Sequence, residues 1–267
     1  MGSGRKERPK LLELFCGGKS VSKAAAKFGY NVVSVDIVKK FNPTFCCNIL
    51  DFDFRQYPVG HFKYIHASPP CTEFSWAKTI GVRKTEEATQ LVIKTLEIIK
   101  HLKPEYWLLE NPRGLLRSQP CMVPLAKYLT EVTYCKYGFK YRKCTDLWTN
   151  VPYKPRSKCL KGTFCGDKKC YGVHTQTVQG GVSGVLSQAP TINLKDRYAI
   201  PPLLLKDLFQ AATLPSPTRW APTKAKNIED ELRLIIADKD AMIKTLQDKI
   251  QGVSVVLGIV PSIVPQK

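Results

Sequence analysis

A strand, a glycine turn, a helix and a second strand follow one another without interruption between residues 10 and 36. Lys10-Leu11-Leu12-Glu13-Leu14-Phe15 is apolar enough for a buried strand. Cys16-Gly17-Gly18-Lys19-Ser20 is a turn, residues 21–28 have helical character, and Asn31-Val32-Val33-Ser34-Val35-Asp36 is again a strand. Two strands joined through a helix cannot close as a hairpin; they lie parallel, with the helix against one face of the sheet. The chain is therefore expected to be α/β, a doubly wound sheet of the Rossmann type. Glycines in the first turn let a ligand approach the backbone closely. Asp36 stands 19 residues after Gly17, where an acid is placed to hold the ribose hydroxyls of a nucleotide-like cofactor. The chain lacks Gly-x-x-x-x-Gly-Lys-Ser/Thr, so a phosphate-gripping NTPase is not expected.

Chemistry enters at Ala67-Ser68-Pro69-Pro70-Cys71-Thr72-Glu73-Phe74-Ser75-Trp76. Residues 63–67 read as a short buried strand. Two prolines then stop it, because neither can donate to a ladder. Cys71 is the first reactive side chain beyond that stop, on a stiff loop at the carboxyl end of a strand, which is where open α/β sheets bind ligands. Residues 84–102 carry apolar positions at Ala88, Leu91, Val92, Ile98, Ile99 and Leu102, the spacing of a helix with one buried face. Pro104 ends it. Residues 105–109 form the next strand, and Glu110-Asn111-Pro112-Arg113-Gly114 follows, so that in a parallel sheet Glu110 and Cys71 share a rim. Residues 120–130 read as a helix and 131–135 as a strand.

The charge balance points to a polyanionic partner. Lys plus Arg number 41 and Asp plus Glu 22, a net charge of +19; nucleic acid is the first expectation and a membrane surface the second. No stretch is long and apolar enough to span a bilayer. The polar start lacks the apolar core of a signal peptide, so an intracellular location and reduced cysteines are expected. Between Lys136 and Lys169 ten basic residues face two acids, Asp146 and Asp167, with Tyr137, Phe139, Tyr141, Trp148, Tyr153 and Phe164 interleaved. Cations for phosphates and flat rings for bases are what a nucleic-acid surface needs. The same stretch holds Cys159, Cys165, Cys170 and His174, spaced C-x5-C-x4-C-x3-H. This set suits a tetrahedral structural zinc ion, and its spacing resembles that of CCCH zinc fingers; unliganded thiols beside a solvent histidine are the alternative.

Taken together, Leu14-Phe15-Cys16-Gly17-Gly18, Ser68-Pro69-Pro70-Cys71 and Glu110-Asn111-Pro112 resemble the ordered motifs of cytosine-C5 DNA methyltransferases. The wording is most similar to compact phage and viral members, including Tyr137-Gly138-Phe139-Lys140-Tyr141-Arg142-Lys143-Cys144 and the Thr145–Asn150 run after it. The resemblance covers roughly residues 10–213. It implies an S-adenosylmethionine methyltransferase fold, with Phe15, Gly17, Gly18 and Pro69 shaping the cofactor pocket, Asp36 on the ribose and Ile37 on the adenine. Two positions depart from the family pattern. Lys19 stands where glycine or another small residue is preferred. Asn48 falls where an acid usually meets the adenine amino group; its carbonyl can still accept that bond, so weaker binding is expected. The large recognition domain of long family members is absent.

The chemistry accounts for the residue types on its own terms. Carbon 5 of cytosine is a poor nucleophile until a thiolate adds to carbon 6, and cysteine both attacks and leaves readily. Cys71 is the expected nucleophile, Glu110 the acid that hydrogen-bonds N3, and Arg142 the cation near the base oxygen. The target base must leave the stack to be reached. The expected organisation is a basic tail over 1–9, a catalytic domain over 10–138, a small basic recognition module over 139–195, a returning helix over 196–214, and a linker, amphipathic helix and apolar tail over 215–267. Double-stranded DNA is the expected partner of a monomeric chain. An RNA cytosine methyltransferase and a catalytically decayed nucleic-acid-binding protein are the rival readings.

Overall fold

The computed structural model describes residues 7–76, 78, 80–160, 174, 176, 178 and 192–213. The predicted amphipathic helix and apolar tail beyond residue 214 lie outside them, as do Phe164, Cys165 and Cys170.

Seven strands form one sheet. Strand β1 (Lys10–Leu14) leads through helix α1 (Ser20–Lys27) to β2 (Asn31–Asp36), and the short β3 (Phe45–Cys46) extends that edge. Strand β4 (Tyr64–Ala67) precedes the Pro-Pro-Cys loop. Helix α2 (Thr85–Leu102) then returns the chain to β5 (Tyr106–Pro112), and β6 (Leu129–Thr133) and β7 (Cys144–Thr149) follow. Helices α3 (Leu194–Tyr198) and α4 (Pro202–Ala211) complete the described chain. The strand order is β3-β2-β1-β4-β5-β7-β6. Strands β1 to β5 pair in parallel, and β7 lies antiparallel between β5 and β6.

Two cores follow from the period-2 alternation of the buried strands. Leu12, Leu14, Ile65, Ala67, Trp107, Leu109 and Trp148 point to one face and pack against Ala88, Val92, Ile98, Ile99 and Leu102 of α2. Leu11, Tyr64, Tyr106, Leu108 and Leu147 point to the other and meet Val21 and Ala25 of α1 with Leu204, Leu205, Leu208 and Phe209 of α4. The sheet is wound on both faces, as its sequence predicts.

Three expectations are corrected on the β5 side. First, β5 runs on to Pro112 instead of stopping at Leu109, because β7 pairs Glu110 with Leu147, Asn111 with Asp146 and Pro112 with Thr145. Glu110 thus lies inside a strand rather than beyond it. Second, the helix expected over 120–130 is a 3-10 turn at Val123–Tyr128, with a proline in its first turn. Leu129–Thr133 is already strand, and the chain turns again at Tyr134–Tyr137. Third, β7 falls inside the stretch assigned to a separate basic module, so the catalytic sheet continues past residue 138. Tyr137, Tyr141 and Trp148 are all buried, and Phe139 and Tyr153 pack against the core. These rings build the fold; they are not platforms for bases.

Asn150, at the end of β7, closes the sheet. Its Oδ1 accepts from the Trp107 backbone N–H at 2.8 Å and its Nδ2 donates to the Glu105 carbonyl at 2.9 Å. Removing both bonds from a site 5% exposed should destabilise the fold by about 1–3 kcal/mol. Asn150→Ala is therefore expected to lower the urea midpoint with an unchanged m-value; an unshifted midpoint would show that β7 is held without it.

Candidate active site

The sheet's carboxyl rim carries every residue named by the three motifs. At the β1 end, the turn into α1 is tightly wound. Phe15 and Lys19 both adopt φ 59°, and Gly17 lies at φ 46°. Left-handed backbone strains a side-chain-bearing residue, which gives a physical reason why glycine suits position 19. Lys19 holds the conformation with its Nζ on the Asn42 carbonyl. Neither Gly17 nor Gly18 has any atom within 4 Å of where a Cβ would lie, so the turn is an open cradle.

Asp36, at the end of β2, faces that cradle. Its Oδ2 accepts from the Gly17 N–H at 2.8 Å and its Oδ1 from the Val38 N–H at 2.8 Å. The carboxylate is fixed by backbone donors and retains lone pairs for a further ligand. Ile37 beside it is 66% exposed, an apolar surface suited to a flat ring. Asn48 Oδ1 accepts from Leu50 N–H at 3.1 Å, capping a 3-10 turn. The residues at the ends of β1 and β2 therefore fit an adenosine-bearing cofactor.

Cys71 opens a 3-10 turn directly after the two prolines. The loop around it is fastened from three sides. Asn111 Nδ2 donates to the buried Pro69 carbonyl at 2.9 Å, tying the loop to β5. Gly114 approaches so closely that a Cβ there would lie 2.3 Å from the Phe74 carbonyl oxygen. Glu73 accepts from Lys78 Nζ at 2.6 Å and from Lys84 N–H at 2.7 Å, while Arg83 donates to the carbonyls of Glu73 and Ser75 at 2.8 and 2.9 Å.

Glu110 is 6% exposed, and the buried Tyr134 hydroxyl donates to its Oε1 at 2.8 Å. Burial pushes the Cys71 thiol above its ordinary value, the negative charge of Glu110 pushes it the same way, and Lys143 and Arg197 pull it back. Lys143 Nζ lies 4.8 Å from the Tyr134 ring centroid and donates to the Arg197 carbonyl at 3.0 Å. Arg197 Nε is buried and has no hydrogen-bond partner among the described residues.

The structure thus gathers Cys71 and Glu110 with Lys143, Arg197 and Tyr134, none of which the sequence analysis assigned to the site. Arg142 is engaged elsewhere: its Nε donates to the Cys159 carbonyl at 3.0 Å. Arg197 sits in a polar lead-in to a Pro-Pro pair, where only its place in the fold brings it to the rim. Cys159 and His174 do come together, their Sγ and Nε2 3.6 Å apart.

A sheet wound on both faces, with Cys71 and Glu110 on its carboxyl rim, accords with the fold the motifs imply. A family model for C-5 cytosine-specific DNA methylases matches residues 10–144. The chain belongs to that family. It is 27% identical, over an alignment of 230 residues, to a protein of Frog virus 3 (isolate Goorha) named probable DNA (cytosine-5)-methyltransferase, covering 75% of this chain and 98% of that one. Among solved structures, a DNMT2 mutant of Spodoptera frugiperda aligns with TM-score 0.41 and 19% identity over 57% of this chain and 55% of its own. The Dnmt2 methyltransferase of S. pombe aligns with TM-score 0.41 and 20% identity over 57% of this chain and 53% of its own. The chain spans about half the length of these solved structures.

The electrostatics of Cys71 carry a test of definite sign. Removing the negative charge of Glu110 eases ionisation of the thiol; removing Lys143 opposes it. Site-resolved alkylation of Cys71 against pH is therefore expected to titrate above the ordinary thiol range. The profile should move to lower pH in Glu110→Gln and to higher pH in Lys143→Met. A profile unmoved by both would mean that neither charge reaches the thiol.

Proposed function

We propose that the chain is a DNA (cytosine-5)-methyltransferase that uses S-adenosylmethionine and works through a covalent adduct at Cys71. The observation that carries this reading is the fastening of the Pro-Pro-Cys loop to the Glu-Asn strand by the Asn111–Pro69 bond, with the open Gly17–Asp36 cradle on the same rim. S-adenosylmethionine, when bound, supplies an electrophilic methyl group on a sulfonium; Gly17, Gly18, Asp36, Ile37 and Asn48 are the residues that would hold it, with Phe15 and Pro69 shaping the pocket.

The chain's own residues act on the base. Cys71, as thiolate, adds to carbon 6 of a cytosine swung out of the duplex, and the electron density of the ring moves toward carbon 5. Glu110, in its acid form, donates a hydrogen bond to N3, where negative charge develops, while its Oε1 accepts from the Tyr134 hydroxyl, which keeps the carboxyl in place. After methylation a base, for which solvent water serves, takes the carbon-5 proton; the electrons of that C–H bond re-form the carbon 5–carbon 6 double bond as the carbon 6–sulfur bond breaks and Cys71 leaves. Burial of the thiol favours its neutral form in the free protein, so ionisation is best matched to arrival of the base, with Lys143 and Arg197 supporting the charged state.

Arg197 takes the part the sequence suggested for Arg142. Its buried Nε has no other partner among the described residues, and its charge acts on Cys71. A buried unpaired donor is costly, and the exocyclic oxygen of cytosine is an acceptor that would satisfy it. Arg142 instead holds the Cys159 segment. Trp76, 57% exposed with Arg113 5.6 Å from its ring centroid, is an aromatic surface for nucleic acid beside the loop.

Transfer of labelled methyl from S-adenosylmethionine to unmethylated duplex DNA tests this reading. Label is expected on cytosine carbon 5 with the native chain, and at least about a thousandfold less with Cys71→Ser. Cofactor binding without transfer to DNA, together with transfer to structured RNA, would overturn the choice of substrate. Arg197→Ala is expected to lower kcat by about 10²–10³ while cofactor affinity stays unchanged; a normal kcat would return the role to another cation.

A further inference from the structure

We propose that Cys135, Cys159 and His174 form a zinc site of three protein ligands, its fourth tetrahedral position taken by water or a further donor, that ties the loop after β7 to the turn after β6. The sequence drew Cys159 and His174 into a local quartet with Cys165 and Cys170, which lie outside the described residues. Cys135 was not part of that set. It stands next to Tyr134, at the turn that follows β6, 24 residues before Cys159.

One sulfur of each cysteine and one ring nitrogen of the histidine all lie within 4.8 Å of one another. The Cys159 Sγ to His174 Nε2 separation is 3.6 Å. Zinc bonds of about 2.3 Å to sulfur and about 2.0–2.1 Å to nitrogen, set tetrahedrally, place ligand atoms roughly 3.5–3.8 Å apart. That edge is already present between Cys159 and His174, and Cys135 needs only a small approach. Cys135 and Cys159 are 1% and 2% exposed and form a cluster separate from both cores of the sheet.

The surroundings are built to hold these residues. Cys159 N–H donates to Thr133 Oγ1 at 3.0 Å, and Arg142 Nε donates to the Cys159 carbonyl at 3.0 Å. Such outer-shell bonds fix the orientation of metal ligands. A soft sulfur and imidazole donor set selects zinc over the hard divalent cations. The consequence reaches the rim, because Cys135 adjoins the tyrosine that positions Glu110. Zinc binding by these three residues is independent of the reaction proposed above.

The full chain, purified from zinc-supplemented medium without chelator, is expected to retain one zinc ion per molecule. Chelator should release it and, on the native chain, expose Cys135 and Cys159 to alkylation, whereas the exposed Cys46 reacts before and after alike. Replacing zinc with cobalt(II) should give a thiolate charge-transfer band that falls by about half in Cys135→Ser, with retained zinc down at least about fivefold. A chain that carries no zinc, a recovered Cys135–Cys159 disulfide, or full zinc retention in Cys135→Ser would each overturn the site. The alkylation arm uses only the native chain, so the test survives a variant that does not fold.

Discussion

The antiparallel insertion of β7 between β5 and β6 is the constraint on which the site depends. A parallel strand alone at that edge would have ended near Leu109. Pairing with β7 instead extends β5 to Pro112, so Glu110 and Asn111 become alternate residues of one strand, pointing to opposite faces. Glu110 joins the face of Tyr106 and Leu108; Asn111 joins the face of Trp107 and Leu109 and reaches the Pro69 carbonyl. One strand therefore both presents the carboxyl and fastens the loop that presents the thiol. Register makes this exacting: a slip of one residue would exchange the two roles.

The same insertion places charge where the chemistry would otherwise be disfavoured. Burial and Glu110 together raise the thiol, and the opposing cations come from separate elements. Lys143 lies just before β7, its backbone carbonyl accepting from Tyr134 N–H at 3.0 Å. Arg197 arrives on α3, which is held by the Tyr141 hydroxyl on the Asp196 carbonyl at 2.9 Å. Asp146, fully buried on β7, is bound by Arg117, which also reaches Glu131 at 3.3 Å. A buried acid so paired keeps the β5–β7–β6 edge in one arrangement, whereas its loss of a partner would leave an uncompensated charge.

Periodicity made the parallel half of the fold legible. Strands β1, β2 and β4 and helices α1 and α2 stand within two residues of where apolar spacing puts them, and the Cys71 and Glu110 motifs gain their specificity only when read together. The misreadings share a cause. Residues 120–150 pair through long-range contacts, and a short strand such as Cys144–Thr149, rich in charge on either side, has no local signature that separates it from a loop. Arg197 and Cys135 were missed for the same reason. A cation or a thiol gains its role only from what the fold sets beside it, and both neighbours lie tens of residues away in sequence.

The fate of the aromatic residues changes how the positive charge must work. Tyr137, Tyr141 and Trp148 have the composition of rings for stacking bases, yet they are interior, and Arg156, over the Tyr137 ring, is itself bound to Asp207 at 2.9 Å and to the Lys136 carbonyl at 3.0 Å. What the described part of that stretch offers outward is charge without flat surface. Charge reads phosphate and is indifferent to sequence. In the proposed reaction a duplex would be gripped by its backbone, and discrimination would fall to the groups assigned there to the extruded base, Cys71, Glu110 and Arg197, with the exposed ring of Trp76 beside them. Recognition and chemistry would then share one small set of side chains.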